Sequence, residues 1–284
     1  MKGYWITIIT PVYNGEKCIE KTINSVIRSK TDEIEYIIID GQSDDNTRVI
    51  IEKYRMVIDY YLSEKDNGIY DALNKGIRNA HGKYIMMLAA GDYLLDGALS
   101  IVRSVVSYDI DIFCGAIIHH SDIGYQYIQS EKELEKLYLY CSLRHPASIF
   151  KKQQFEKYGL YCPEYRCAGD REIFLRWYSL GAKFQIENIA IVLFESGSGI
   201  STANPAKYLI PEDVSISRMY NVPDEMIEEQ KKKVMADAFP PLWKKMIRKV
   251  LIKTMTYRPL MKILKKSIKF VEKDELIKYG VQGE

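Results

Sequence analysis

The sequence predicts an α/β domain with a mainly parallel sheet, helices on its faces and a helical extension at the C-terminus. Two observations lead there: short β-branched runs alternate with segments of helical spacing through the first half, and the residues after each run are unusually polar. The first run is "WITIIT", Trp5–Thr10, followed by Pro11-Val12-Tyr13-Asn14-Gly15 and helical spacing from Cys18 to Lys30. "EYIIID", Glu35–Asp40, is the second, and "DGQSDDNT" leads from it into a helix from Thr47 to Lys53. "IDYYLS", Ile58–Ser63, precedes a polar loop and a helix from Ile69 to Ala80. "KYIMML", Lys83–Leu88, delivers the chain to Ala90-Gly91-Asp92, and "IDIFCGA", Ile110–Ala116, closes the regular part. Strand, helix, strand at this spacing requires right-handed crossovers, so the strands run parallel and a ligand belongs beyond their carboxyl ends. After residue 116 come short strands, a helix from Asp170 to Leu180, two strands ("AKFQI" and "IAIVLF") and a Gly/Ser loop, "ESGSGIST", that is either a flap or an ordinary connection. From Pro205 onward the pattern is helical. The segments 1–116, 117–203 and 204–284 follow as units, the first two being halves of one domain.

The 284 residues, 47% of them hydrophobic, suffice for one large domain. A net charge of +2 with no recognition module does not mark a nucleic-acid binder. Five cysteines (Cys18, Cys114, Cys141, Cys162 and Cys167) form no C-x-x-C pair and read as the reduced thiols of a cytosolic protein. "MKGYWITIITPVYNG" lacks the length and cleavage pattern of a signal peptide. No run reaches the roughly 18 apolar residues of a membrane span.

Four acids, Asp40, Asp45, Asp66 and Asp92, are thus expected at one rim. Gly41 is expected to relax the turn after the second strand, with Asp45, Asn46 or Thr47 capping the next helix. Asp40 closes the strand itself. A buried, unpaired carboxylate is costly, so Asp40 is expected to hold a ligand, either a base edge or ribose hydroxyls. Asp66 and Asn74 are each open between a local structural role and a ligand, and Lys75 between ligand and solvent. Asp92 stands alone at the end of a buried strand beside small residues. That suits a divalent cation carrying a diphosphate, because Mg²⁺ takes only one or two protein carboxylates. In "CAGDREIFLRW", Asp170 heads a helix whose Ile173, Phe174 and Trp177 face a core. An N-cap is the ordinary role for an acid there, and Arg171 and Glu172 are expected to face solvent. His145 is either a structural histidine or a contact to acceptor or phosphate. His81, His119 and His120 show no metal-ligand spacing.

Taken in order, "TIITPVYNGEKCIEKTINSV", "IIIDGQSDDNT", "SEKDNGIYDALNKGIRNAHGKYIMMLAAGD" and "AGDREIFLRW" resemble the inverting glycosyltransferases of family 2, over roughly Ile6 to Ser201. The likeness is to bacterial members that build O-antigen, capsule or exopolysaccharide. It implies a GT-A fold, a Rossmann-like nucleotide-binding sheet with flanking helices, in which 1–116 binds the nucleotide sugar and 117–203 the acceptor. It implies Pro11, Tyr13 and Asp40 around the nucleotide, with Asp40 on the base, and Asp66 and Asn74 flanking the nucleoside. Asp92 matches the last acid of the family's D-x-D, the ligand of Mn²⁺ or Mg²⁺; Ala90 stands where the first acid is usual. Asp170 matches the catalytic base. The implied donor is a UDP-sugar and the implied acceptor a polyprenyl-diphosphate-linked glycan. Two rivals stand beside this. A sugar-nucleotide-forming nucleotidyltransferase would show a Gly-rich basic loop after the first strand, which "PVYNGEK" is not. A non-catalytic nucleotide- or glycan-binding relative is admitted by Ala90.

From Ala238 to Val271 there is no acid, and ten lysines and arginines accompany Trp243, Met246, Ile247, Val250 and Leu251 at helical spacing. Such a segment either packs on the catalytic domain with its lysines in water or lies as a basic amphipathic helix on an anionic leaflet. The polyprenyl-linked acceptor that the resemblance implies favours the second, a peripheral enzyme at the inner face of the cytoplasmic membrane.

Overall fold

β1 (Ile6–Val12), β2 (Ile34–Asp40), β3 (Tyr60–Ser63) and β4 (Tyr84–Met87) run parallel in the order β3-β2-β1-β4. Ile8, Tyr36 and Ile38 turn into one core, and Ile9, Ile37 and Ile39 into the other. Period-2 alternation therefore puts apolar side chains on both faces, which is why these strands read as unbroken hydrophobic runs. α1 (Ile19–Ser29) covers the first face with Ile19, Ile23 and Val26, and α2 (Thr47–Lys53) adds Ile51. α3 (Ile69–Asn79) lays Leu73 and Ile77 on the second face. The computed structural model describes residues 3–122, 124–195, 206–238, 269–272 and 275–276.

Past β4 the chain forms β5 (Tyr93–Leu94), α4 (Ala98–Val105), β6 (Ile112–Ser121), β7 (Gly124–Ile128), β8 (Ser148–Lys151), α5 (Gln154–Tyr158), α6 (Gly169–Ser179) and β9 (Phe184–Glu195). α7 (Leu209–Met219), α8 (Asp224–Ala238) and β10 (Lys269–Val271) follow. Among the described residues the sheet has 10 strands and continues from β4 through β8, β6, β7 and β10, each antiparallel to its neighbour. β9 runs parallel to β6 and antiparallel to β5. The parallel core is thus the nucleotide-binding type expected, and the antiparallel half extends it. Residue 116 falls inside β6, so the two halves share a strand.

Two expectations about strands are corrected. "AKFQI" and "IAIVLF" form one strand, not two, because the polar Glu187-Asn188 pair is taken up by a register shift against Cys114–Ala116. Gly115 permits it: a Cβ there would meet Ile189 O at 2.7 Å. The helical pattern expected after Pro205 fails at Lys269–Val271, which pairs with β7 and buries Phe270 and Val271. The loop 196–201 and the basic stretch from Lys244 to Lys266 lie outside the described residues. Among the described residues no helix is long and apolar enough to cross a membrane.

Candidate active site

The carboxyl ends of the central strands are level, Val12 opposite Asp40 and Asp40 opposite Ser63. Pro11 can sit at the end of an inner strand because β4 has its last rung at Met87, opposite Ile9; its carbonyl accepts the Ala90 amide at 3.4 Å. The loops leaving β1 and β2 are knitted together by side chains. Asn14, left-handed at φ 51°, donates its amide to Ser43 Oγ at 2.8 Å and accepts the Asp44 amide at 3.0 Å. Gly15 N donates to Thr47 Oγ1 at 2.8 Å, and Glu16 N to Asp45 Oδ2 at 3.0 Å. Asp45 and Thr47 are therefore frame, and it is Asp45, from outside the helix, that accepts the Thr47 amide at 2.9 Å. Tyr13 stands 63% exposed on this frame, free to lie against a planar ligand.

Asp40 is fully buried and does not lack partners: it accepts the Ser43 amide at 3.1 Å and the hydroxyls of Ser43 and Ser63, the latter at 2.6 Å. The turn after it works differently from the expectation. Gln42, not Gly41, takes the left-handed backbone, at φ 65°. Gly41 is small for another reason: the Asp66 carboxylate lies on it, and a Cβ would meet Asp66 Oδ2 at 2.5 Å. Asp66 thus lies over Gly41, near enough for the Asp40 charge to act on it. Burial pushes the Asp66 carboxyl up, against the pull of the Gly68 amide it accepts at 3.0 Å. Lys75 is tied to Lys65 O at 2.8 Å and Glu64 at 2.9 Å, which makes it part of the loop's frame.

Asp92 follows Gly91, whose φ of 107° favours glycine. Thr22 of α1 fixes this corner by accepting the Gly91 amide at 2.9 Å and donating to Asp92 O at 2.8 Å. Asp92 is 5% exposed, and among the described residues its carboxylate accepts a long bond, from Glu195 N at 3.4 Å. Burial pushes its pKa up to about 8, and the Glu195 charge adds to the rise. Among the described residues no three His, Cys, Asp or Glu side chains form a ready-made cage. A buried carboxyl with one weak donor and an acid beside it nevertheless fits a divalent cation, which would supply the missing positive charge.

Asp170 is the second residue of α6 and caps nothing; its Oδ1 accepts the Arg171 amide at 2.7 Å. It is half-buried where the heads of two helices meet. Tyr70, in the first turn of α3, packs its ring on Gly169, where a Cβ would lie 2.7 Å from it. The Tyr70 hydroxyl accepts the Asp170 amide at 3.2 Å and donates to Cys167 O at 2.9 Å. Burial is the main cause that lifts the Asp170 pKa to about 6, with the Asp213 charge pushing the same way and the Arg171 amide opposing. Asn74 is 4% exposed, and both ends of its amide are engaged by the backbone of Tyr161, at 2.8 and 3.0 Å. Tyr161 in turn stacks on Tyr70 with centroids 5.6 Å apart. His145 lies among Phe150, Tyr161 and Phe174, paired with the Tyr161 hydroxyl at 2.8 Å; burial takes its pKa down to about 4. It is half-buried and held by these rings and this hydrogen bond.

The sequence model of "Glycosyl transferase family 2" matches residues 7–175, from β1 into α6. The chain belongs to this family. The family 2 match spans Asp40, Asp45, Asp66, Asp92 and Asp170. Over 90 residues the chain is 34% identical to a putative teichuronic acid biosynthesis glycosyltransferase of Bacillus subtilis, covering 31% of this chain and 36% of that protein. The first curated relatives are spanned over only 59% and 52% of their length. Among solved structures, S. aureus TarS 1-349 in complex with UDP-GlcNAc superposes with TM-score 0.58 at 19% identity, covering 75% of this chain and 64% of that one. The mannosyltransferase PcManGT from Pyrobaculum calidifontis, in complex with GDP-Man and Mn²⁺, gives TM-score 0.57 at 14% identity, covering 93% and 88%. These likenesses show the GT-A-type fold.

Several residues of this family 2 site carry no local signal. Arg171 and Glu172 are not solvent-facing: they are 0% and 7% exposed. Arg171 pairs with Asp213 at 2.9 Å and Glu172 with Arg176 at 2.7 Å, so each charge enters the interior with its counter-charge. Nothing within the helix announces Asp213, which lies 42 residues away. Tyr70 had one available signal, its place next to the turn "DNG" at the start of a helix.

Proposed function

We propose that this protein is an inverting, metal-dependent glycosyltransferase. Its donor is a nucleoside-diphosphate hexose or N-acetylhexosamine, UDP-linked, and its acceptor a polyprenyl-diphosphate-linked glycan in bacterial surface-polysaccharide synthesis. One observation carries the reading: Asp170, at the head of α6, is a half-buried carboxyl whose pKa of about 6 suits a general base, in a chain whose strand ends carry the family's nucleotide-side acids. The nucleotide ligands of TarS and PcManGT support the donor class, the Mn²⁺ of PcManGT the cation, and the teichuronic acid relative the polysaccharide acceptor.

In this reading Asp170 takes the proton of the acceptor hydroxyl, whose oxygen attacks the anomeric carbon as the bond to the diphosphate breaks. The electron pair leaves with the nucleoside diphosphate, and a single displacement turns an α-linked donor into a β-glycoside. A base near pKa 6 is ionised at neutral pH yet more avid for a proton than an ordinary carboxylate; such assistance is worth about 10²–10⁴-fold. Pro11, Tyr13, Asp40 and Asp66 border the nucleotide, while Asn74 acts at one remove by holding Tyr161. Asp92, with Glu195 beside it, would hold Mn²⁺ or Mg²⁺. When bound, the cation supplies charge to the leaving diphosphate, where unit charges about 4 Å apart interact by roughly 4 kcal/mol at a dielectric near 20. The basic stretch between 239 and 268 brings the enzyme to the cytoplasmic leaflet that carries its acceptor.

A thermal-shift panel of UDP- and GDP-sugars, with and without Mn²⁺, tests this. One nucleotide sugar raises the melting temperature, and more so with the cation, because a ligand of the native state stabilises by mass action. Equal stabilisation without the cation removes the metal from the proposal. A product that keeps the donor's anomeric configuration, read by NMR coupling constants, removes the single displacement.

A further inference from the structure

The family match ends inside α6, yet the head of that helix is held from outside the match. Glu212, in the first turn of α7, accepts three successive amides: Arg166 N at 2.7 Å on Oε1, then Cys167 N at 2.9 Å and Ala168 N at 2.8 Å on Oε2. These amides lie on the approach to α6, the last of them on its N-cap residue Ala168, and the Glu212 carboxylate gathers all three. The next residue, Asp213, binds Arg171 Nη1 through both its carboxylate, at 2.9 Å, and its carbonyl, at 2.8 Å. The rest of the buried guanidinium is used on Leu137 O at 2.9 Å, Tyr138 O at 2.6 Å and Ser217 Oγ at 2.7 Å. α7 therefore bonds the chain just before Asp170 and just after it. The groups facing Asp170 are Tyr70 from α3, Tyr161 and Cys141 from the connecting segments, Cys167 and Arg171 from its own segment, and Asp213 from α7.

We propose that Glu212 and Asp213 are positioning residues for Asp170: α7 grips the head of α6 on both sides of the carboxylate, fixes its aim and keeps a like charge beside it. The inference rests on the reading of Asp170 as the base. It makes α7 part of the catalytic apparatus although the family match stops short of it.

The test uses the full chain labelled with ¹³C-carboxyl aspartate, and Asp170→Asn identifies the resonance. Asp213→Asn removes an anion whose charge opposes ionisation of Asp170. Its titration midpoint is therefore expected to fall, and with it the acid limb of UDP release from UDP-N-acetylglucosamine with water as acceptor. An unmoved midpoint overturns the proposal. Glu212→Gln is expected to slow UDP release by roughly tenfold or more with the KM for UDP-N-acetylglucosamine unchanged, since small misplacements of a reacting group carry large penalties. An unchanged rate, or a loss confined to KM, counts against it. If Glu212→Gln does not fold, or the sugar nucleotide is not turned over, the Asp213→Asn titration decides alone. UDP release that survives Asp170→Asn while Asp213→Asn still moves the midpoint would remove the base assignment and leave the grip of α7 standing.

Discussion

Asp92 and Asp170 are both enclosed carboxyls lifted above the ordinary carboxylate range, to about 8 and about 6, with burial the leading cause in each. What surrounds them differs. Asp170 accepts a 2.7 Å amide bond in the first turn of a helix, so its charged form is partly supported by the frame. Among the described residues Asp92 has a single 3.4 Å amide bond, with the Glu195 charge beside it. In the proposed mechanism the lower of the two suits a proton acceptor at neutral pH, and the higher suits a carboxyl that would give up its proton to a bound cation. Burial lifts both carboxyls, and the shorter donor bond on Asp170 offsets more of the rise than the long one on Asp92.

Asp170→Asn should break the comparison hardest. It removes the proton acceptor and keeps the shape, so UDP release falls on the order of 10²–10⁴-fold while nucleotide-sugar binding by calorimetry is kept. Turnover that persists would strike Asp170 from the mechanism. Arg171→Met comes next: it strands Asp213 and three carbonyl or hydroxyl partners in the interior, and urea unfolding should register a loss of about 3–5 kcal/mol.

The Asp92 side is sharpened by pH. Its native pKa lies above the unfolded value of 3.8, so the native state holds a proton that the unfolded chain has lost. That contribution to stability is full below pH 3.8 and fades as pH rises through about 8. Asp92→Asn should therefore gain on the wild type between pH 5 and pH 8, by on the order of a few kcal/mol in urea midpoints. Stabilisation by Mn²⁺ should likewise be larger at about pH 8 than at about pH 6, because binding displaces the proton, and should vanish in the variant. Parallel stability curves would show that Asp92 is not the buried acid described. The smallest effect is Asn74→Ala. It unpairs two Tyr161 backbone groups, for about 1–3 kcal/mol by thermal melt, and lowers UDP release only through the Tyr161–Tyr70 stack.

Much of the fold could be read from local pattern. β2 is extended by one residue at Ile34, and α2 begins and ends at Thr47 and Lys53 as the spacing predicts. Those elements are set by neighbours within a few residues. Prediction failed where a partner came from far along the chain: Arg171 is interior because of Asp213, and β9 runs through Glu187-Asn188 because Gly115 makes room for the bulge. The acids of the rim were legible as positions after strands. Their division of labour was not, since Asp45 serves the frame through the Glu16 amide and Asn74 through Tyr161, contacts that no spacing rule contains.

Gly41 offers a lever on that rim. Because its backbone needs no left-handed turn, an alanine fits the chain there, and the added carbon acts as a wedge against the movable tip of Asp66. One methyl group would displace the Asp66 carboxyl while the serine hydroxyls hold Asp40 still. Under the proposed function, the share of Asp66 in gripping a nucleotide could then be weighed without removing it.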